Sequence, residues 1–529
     1  MYITKVVIKN YRCLKNTTVD LNAHLNILVG NNECGKSTFL EAVNLALCGL
    51  LNGRSIHTEL HTHLFNTDIA SGYIQSLKTN PQPPPSILIE LYLHDVDALA
   101  KLKGTNNSLK LNVPGLKVVI EFNEDYKAEY ATYIADPSLI KSIPVEYYAV
   151  RWRSFADNDV TARSIPMKPC FVDASTIRNN NAASRYILDT VKESLNKKQQ
   201  VDLALSYRMM KDRFLTEKKV ADINAFLAAK KGDVSNKTLS ISLDTSSRAN
   251  WEAGVVPHLD DIPMPLVGKG EQNSVKIKLA MEESAESHLF LIEEAENHLS
   301  FSNLNVLIKH ISDKRADRQL LLTTHSSFVL NKLGLESVLL FANGKTLSLK
   351  SLREDTKDYF LKLPGYDTLR LILAKRAVLV EGPSDELIVQ KAFLMRYGKM
   401  PLEMGVDVIS VSSLAFKRFL DIALVLDADV DVVTDNDGDL DKLTKKYAGY
   451  DGVGQIAVWY DDDVTRTTLE PQLVKANGLQ LVNQILGKSY PTEDELVKHM
   501  QDNKTETALK FFETKTAWTV PDYISHVVY

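Results

Sequence analysis

Cysteine is scarce in this chain of 529 residues: Cys13, Cys34, Cys48 and Cys170 stand far apart and form no CxxC pair. That spacing excludes a disulfide framework and a clustered zinc site, and leaves the four thiols as incidental side chains. Long apolar runs are also missing. None approaches the ~20 residues needed to span a bilayer. No basic segment followed by an apolar one leads the chain, so the sequence predicts an intracellular, cytoplasmic protein with no membrane partner. Nor is there an excess of positive charge: 62 Lys and Arg against 67 Asp and Glu leave a net charge of -5. A nucleic-acid partner would therefore have to be met by a local basic face or by bridging metal ions. No internal repeat is visible. Hydrophobic content of 44% and charged content of 24% are ordinary for a globular protein, and the length favours two or three domains over one.

The opening TKVVIKNYRCLKNTTVDL alternates apolar and polar residues as a strand does, and LNILVG reads as a buried strand. After the Pro-rich TNPQPPPS, the segments ILIELYLHD and LKVVIEF resume strand patterning, which suggests a small antiparallel sheet laid over a nucleotide-binding core. Residues 175–231 change to polar helices rich in Lys, Glu, Ala and Leu, an inserted arm and a candidate for subunit contacts. A helix-like stretch from Ser274 to Ser287 and the strands HLFLIEE and LLLTTHSS return to alternating strand and helix. A second unit of the same kind begins near Ala377.

GNNECGKST, from Gly30 to Thr38, satisfies G-x-x-x-x-G-K-[ST] with a strand before it and a helix after it. In that setting the backbone N–H groups of Gly30, Asn31, Asn32, Gly35 and Thr38 cradle phosphates, Lys36 reaches the β/γ oxygens and Ser37 ligates magnesium. HLFLIEEAENHLS is a buried strand ending in two carboxylates. Beside a phosphate loop, Glu293 can hold the metal and Glu294 can orient or activate water. LLLTTHSSFVL ends in Thr324, His325 and Ser326, at the strand end where ligands of open α/β sheets sit, which makes His325 a γ-phosphate contact.

The order of these pieces resembles the ATP-binding-cassette ATPases of the SMC and RecF type. The resemblance implies a signature segment in PLVGKGEQNSVKIKLAM, with Gly268 and Gly270 opening a helix that faces the phosphates of an opposite subunit. It further implies a homodimer or higher homo-oligomer, formed through the ATPase domain, that sandwiches ATP. Gly268 and Lys269 stand about where Ser and Gly are expected, so Lys269 takes the place of the usual serine contact.

In AVLVEGPSDE a strand ends in Glu381, and Asp385 falls in the first turn of the next helix. VDVVTDNDGD reads as another strand, ending at Thr434 with Asp435 and Asp437 just beyond; period two would point both carboxylates to one face. Clustered with Glu381, they would repel unless divalent cations intervened, which suits Mg2+ or Mn2+ with oxygen ligands. This pair of strand ends resembles the Toprim domain of topoisomerases, primases and some nucleases. Preceded by an ABC-type ATPase, it resembles the OLD (overcoming lysogenisation defect) family, whose relatives include the nuclease subunit of the bacterial Gabija anti-phage system. The resemblance implies that Glu381, Asp385, Asp435, Asp437 and Glu470 are metal ligands. It also implies that Thr434 supports them and that Lys504 is the basic residue of the site.

The expected architecture is α/β. An ABC-type ATPase domain covers residues 1–365 with its arm at 175–231, and a Toprim domain with a central, mostly parallel sheet covers residues 370–529. The expected function is an ATP-regulated, metal-dependent DNA endonuclease, with Glu294, His325, Glu381, Asp435, Asp437 and Lys504 as its catalytic groups. A role in anti-phage defence, with a second protein or nucleic-acid component, is implied by the resemblance alone. The alternatives are an ATP-driven DNA clamp whose Toprim unit only recruits a partner, and topoisomerase-like strand passage, which lacks a recognisable tyrosine setting.

Overall fold

The computed structural model describes residues 1–51, 53–138, 140–173, 187–188, 191–192, 195–231, 237–244, 251–283, 287–314, 318–342, 345–411 and 415–528. Leu25–Val29 is buried at all five positions, and the reason is its place inside a sheet covered on both faces. That sheet runs in the order Pro169–Asp173, Leu289–Glu293, Gln319–Thr323, Leu25–Val29 and Val338–Ala342. These five strands are parallel, and Lys345–Ser348 adds an antiparallel edge. Because parallel strands carry their ligands at their carboxyl ends, the phosphate loop, the two glutamates and His325 all emerge on one rim.

One face of this sheet meets helix Lys36–Cys48 and an all-antiparallel sheet, in which Ile3–Tyr11 pairs with Leu14–Asp20 and Ile87–Leu93, and Val113–Phe122 pairs with Ile87–Leu93, Lys103–Gly104 and Tyr148–Ser154. The alternating pattern of the opening segment is thereby explained: its Val6, Ile8 and Tyr11 are buried in that apolar layer. In the inserted arm, Lys197–Thr216 and Lys218–Ala228 form two helices on either side of Glu217. The rest of the arm between 174 and 196, apart from a few residues, lies outside the described residues.

A second sheet, Val406–Ser410, Arg376–Val380, Asp429–Val433 and Ile456–Trp459, is parallel throughout. Its outer face is covered by helices Pro383–Tyr397, Leu469–Leu486, Lys504–Glu513 and Asp522–Val528. Its inner face shares one apolar core with the first sheet: Ile292, Leu322 and Val329 belong to the same cluster as Phe360, Leu369, Leu379, Phe419 and Val432. The expected division between 365 and 370 falls beside helix Thr368–Leu373, whose Leu369, Leu371 and Ile372 are buried in that common core.

Candidate functional site

Gly35 enters helix Lys36–Cys48 at φ 102°, a left-handed conformation that glycine adopts without strain. Lys36 is buried, and its Nζ donates to the carbonyls of Gly30 (2.8 Å) and Asn31 (3.2 Å). Asn31, Asn32 and Ser37 are exposed on the rim, and Thr38 Oγ1 accepts from the Cys13 thiol. Two strands away Glu294, at φ 46°, is fixed by its own N–H donating to Thr323 and by Asn297 Nδ2 donating to its Oε2 at 2.6 Å. Its Oε1 stands 3.6 Å from His325 Nε2. Burial, and then the ammonium of Lys36, lower the imidazole pKa against the pull of Glu294. Glu293 closes its strand, half-buried, level with Asp173. The helix Lys269–Glu283 presents Gly268 and Lys269 to solvent, while Gly270 lies against the acidic loop; a Cβ there would sit 2.2 Å from the His298 carbonyl oxygen.

At the carboxyl ends of the second sheet, Glu381 Oε1 accepts from Thr434 Oγ1 (2.7 Å) and from the N–H of Asp435 (3.1 Å). Asp385 sits in the first turn of its helix and accepts the Gly382 N–H at 3.0 Å. Burial, then the charge of Glu381, with Glu470 adding, push Asp385 up to about 7. Asp435 is pushed further, to about 9, by burial and then by Asp385, Glu381 and Glu470, with Lys504 opposing. Glu470 is 2% exposed; its Oε2 accepts from Thr468 at 2.8 Å and lies 3.9 Å from Lys504 Nζ. Five elements thus bring Glu381, Asp385, Asp435, Glu470 and Lys504 near one another. Their donor set is all oxygen and their mutual repulsion is what a hard divalent cation relieves. As placed they do not close on a common point: among the described residues no group of three His, Cys, Asp or Glu stands ready to hold a metal ion.

Residues 1–80 match the family described as an AAA ATPase domain, and residues 372–437 match the TOPRIM domain of proteins like the overcoming lysogenization defect protein. The chain pairs an AAA ATPase domain with an OLD-like TOPRIM domain. Curated relatives match over shorter stretches. The DNA replication and repair protein RecF of Acetivibrio thermocellus is 41% identical over 68 residues, 13% of this chain and 17% of that protein. RecF of Halothermothrix orenii is 29% identical over 128 residues, 23% of this chain and 34% of that protein. The structural maintenance of chromosomes protein 6 of Saccharomyces cerevisiae is 41% identical over 46 residues, 9% of this chain and 4% of that protein. The matched stretches therefore span about a third or less of these relatives. Among solved structures, an SMC head bound to the C-winged helix domain of ScpA aligns with 66% of this chain and 99% of its own, at 12% identity and TM-score 0.35. The recombination mediator RecF of the RecFOR pathway aligns with 66% of this chain and 98% of its own, at 13% identity and TM-score 0.33. No helix among the described residues is long and apolar enough to cross a membrane.

The TOPRIM match ends at Asp437 and so includes Glu381, Asp385 and Asp435 but neither Glu470 nor Lys504. One expectation is corrected inside it. The D-x-D pair does not continue a strand: the strand stops at Val433, and Asp437 is an exposed turn residue at φ 51°. Period two therefore does not align it with Asp435, and Asp437 is not among the charges that most perturb Asp435. The buried Asn436 between them shapes the loop instead, donating to the carbonyls of Asp461 (2.7 Å) and Asp463 (2.9 Å).

In the ATPase unit the sequence reading missed Glu296, whose Oε1 accepts from Thr324 Oγ1 (2.8 Å) and the His325 N–H (2.5 Å), fixing the backbone of His325. Its only sequence signal was a third acid in EEAEN. Between the two units lies a cleft of about 420 Å³ lined by Asn31, His325, Asp367, Arg370 and Leu402, among others. Along it Ser327 Oγ donates to Asp367 at 2.5 Å and accepts the Leu369 N–H, and Arg370 forks onto Asp407 at 2.5 and 3.1 Å. Asp407 lies in the TOPRIM edge strand Val406–Ser410.

Proposed function

We propose that the chain is an ATP-regulated, divalent-metal-dependent DNA endonuclease acting in anti-phage defence, with ATP bound at Gly30–Thr38 between two copies. The observation that carries this reading is the meeting of Glu381, Asp385, Asp435 and Glu470 with Lys504 at the carboxyl ends of the TOPRIM sheet. Glu381, Asp385, Asp435 and Glu470 would hold Mg2+ or Mn2+, which would supply an acidified water and neutralise phosphate charge. Thr434 and the Asp435 N–H aim Glu381. Lys504 offsets negative charge growing on the phosphodiester. In the ATPase unit Lys36 exchanges its two loop carbonyls for phosphate oxygens, Ser37 and Glu293 serve the nucleotide's magnesium, and Glu294 and His325 orient water on the γ-phosphate. Gly268 and Gly270 of one copy complete the site of the other.

The test is cleavage of plasmid and linear DNA by the purified chain with Mg2+ or Mn2+, with and without ATP, beside Lys36→Ala, Glu294→Gln and Asp435→Ala. Cleavage surviving in Asp435→Ala removes the nuclease assignment, and ATP hydrolysis surviving in Lys36→Ala removes the ATP site. Plating phage on bacteria that express wild type or Asp435→Ala tests the defence role. One observation favours the second reading, a DNA clamp that does not cut: the carboxylates do not close on one point. DNA retention with ATP but no cleavage under any metal supports that reading.

A further inference from the structure

The acidic loop that follows strand Leu289–Glu293 is bracketed by two residues in the left-handed region, Glu294 at φ 46° and His298 at φ 63°. Residues other than glycine hold that conformation only where their surroundings fix it. Helix Lys269–Glu283 supplies the fixing. Its Asn273 is fully buried, and the Nδ2 donates to the carbonyls of Ala295 and Asn297, both at 3.4 Å. One turn earlier, Gly270 leaves no room for a Cβ against the His298 carbonyl. Asn297 in turn donates its own Nδ2 to Glu294 Oε2 at 2.6 Å, and Glu294 Oε1 stands 3.6 Å from His325 Nε2. The buried Oδ1 of Asn273 has no hydrogen-bond partner among the described residues. An acceptor taken out of water and left unpaired costs stability, so packing alone would favour an apolar side chain at this position.

We propose that Asn273 is a positioning residue for ATP hydrolysis: by holding the carbonyls of Ala295 and Asn297, it sets the backbone from which the Asn297 amide aims Glu294. This rests on the reading of Glu294 as a group that orients water on the γ-phosphate. The contacts run from helix to loop carbonyls, and from the Asn297 side chain to the carboxylate. Because Asn297 takes only Oε2, Oε1 of Glu294 stays directed toward His325. A shift of the loop would therefore turn the carboxylate while leaving the phosphate loop intact, since Lys36 is held by Gly30 and Asn31 and not by the acidic loop. Loss of Asn273 is felt in turnover and not in nucleotide affinity.

The test is steady-state phosphate release by the full chain, in wild type, Asn273→Leu, Asn297→Ala and the double variant. Affinity for a fluorescent non-hydrolysable ATP analogue and the thermal midpoint are measured beside it. Asn273→Leu removes the donor and the unpaired acceptor together, so it is expected to match or exceed the wild-type midpoint. It should hold analogue affinity within about twofold while kcat falls about tenfold. Asn297→Ala should lower kcat by a similar factor, and the double variant no further than the lower single, because both act through one carboxylate. Losses that multiply to about a hundredfold in the double variant overturn the role of Asn273. So does an Asn273→Leu kcat within about twofold of wild type, or a midpoint below wild type, which marks a merely structural part. Glu294→Gln separates this role from the reading beneath it. Hydrolysis at the wild-type rate in that variant removes Glu294 and Asn273 alike, whereas an inactive Glu294→Gln beside an unimpaired Asn273→Leu removes Asn273 alone.

Discussion

Lys36 is held by the carbonyls of its own loop, contacts that phosphate oxygens would have to replace. Lys36→Ala is expected to lower ATP turnover by at least ~100-fold, checked by phosphate release, because the charge that clamps the β/γ oxygens is gone. The TOPRIM acids make the opposite case. Asp385 and Asp435 are pushed up to about 7 and about 9, far above an unfolded aspartate at ~3.9. The folded chain therefore holds protons that the unfolded chain has lost, and stability falls as pH rises from ~4 through those values, by at most ~1.4 kcal/mol per unit for each group. Melting of the metal-free protein between pH 5 and 9 should show this decline, and millimolar Mn2+ should flatten it. The strand, loop and helix around Gly30–Thr38 were legible in sequence because their residues are contiguous. Glu296 and Asn436 were not, because their partners lie 28 and 25 residues away and only the folded rim brings them together.

Among the elements, the strand ends came closest to their sequence reading: all five residues of Leu25–Val29 and Gln319–Thr323 are buried, as apolar runs imply. The reading failed where a loop imitates a strand. TDND has alternating acids, but Asn436 binds across to the 461–463 loop and turns Asp437 into the left-handed region. Asn436→Ala is expected to cost about 1–3 kcal/mol, since it leaves two carbonyls without their donor, and urea titration measures it. The helix expected from Ser274 begins at Lys269, where Gly270 allows contact with the acidic loop. Gly270→Ala should likewise lower stability by about 1–3 kcal/mol by prying that helix from His298. In the arm, Leu205, Met209, Met210 and Phe226 are more than half exposed, an apolar surface out of keeping with an isolated arm. Met210→Glu with Phe226→Glu is expected to shift light-scattering mass toward the monomer if the arm joins two copies.

For the whole molecule, His325, Ser327, Asp367, Arg370 and Asp407 follow one another along the cleft and join the ATPase unit to the amino end of the TOPRIM edge strand. Arg370→Ala is expected to leave ATP hydrolysis within about twofold of wild type while DNA cleavage loses its response to ATP, read by parallel assays on one preparation. None of this route was visible in the sequence, where Asp367 and Asp407 are two unremarked acids. The shared core that joins Ile292 and Leu322 to Phe419 and Val432 bears on how this protein can be handled and inherited. A gene cut between its two halves would yield fragments with wet apolar faces, prone to clump. Recombination cannot exchange its TOPRIM unit as a cassette unless the facing residues travel with it, so ATPase and TOPRIM are expected to have changed as a matched pair.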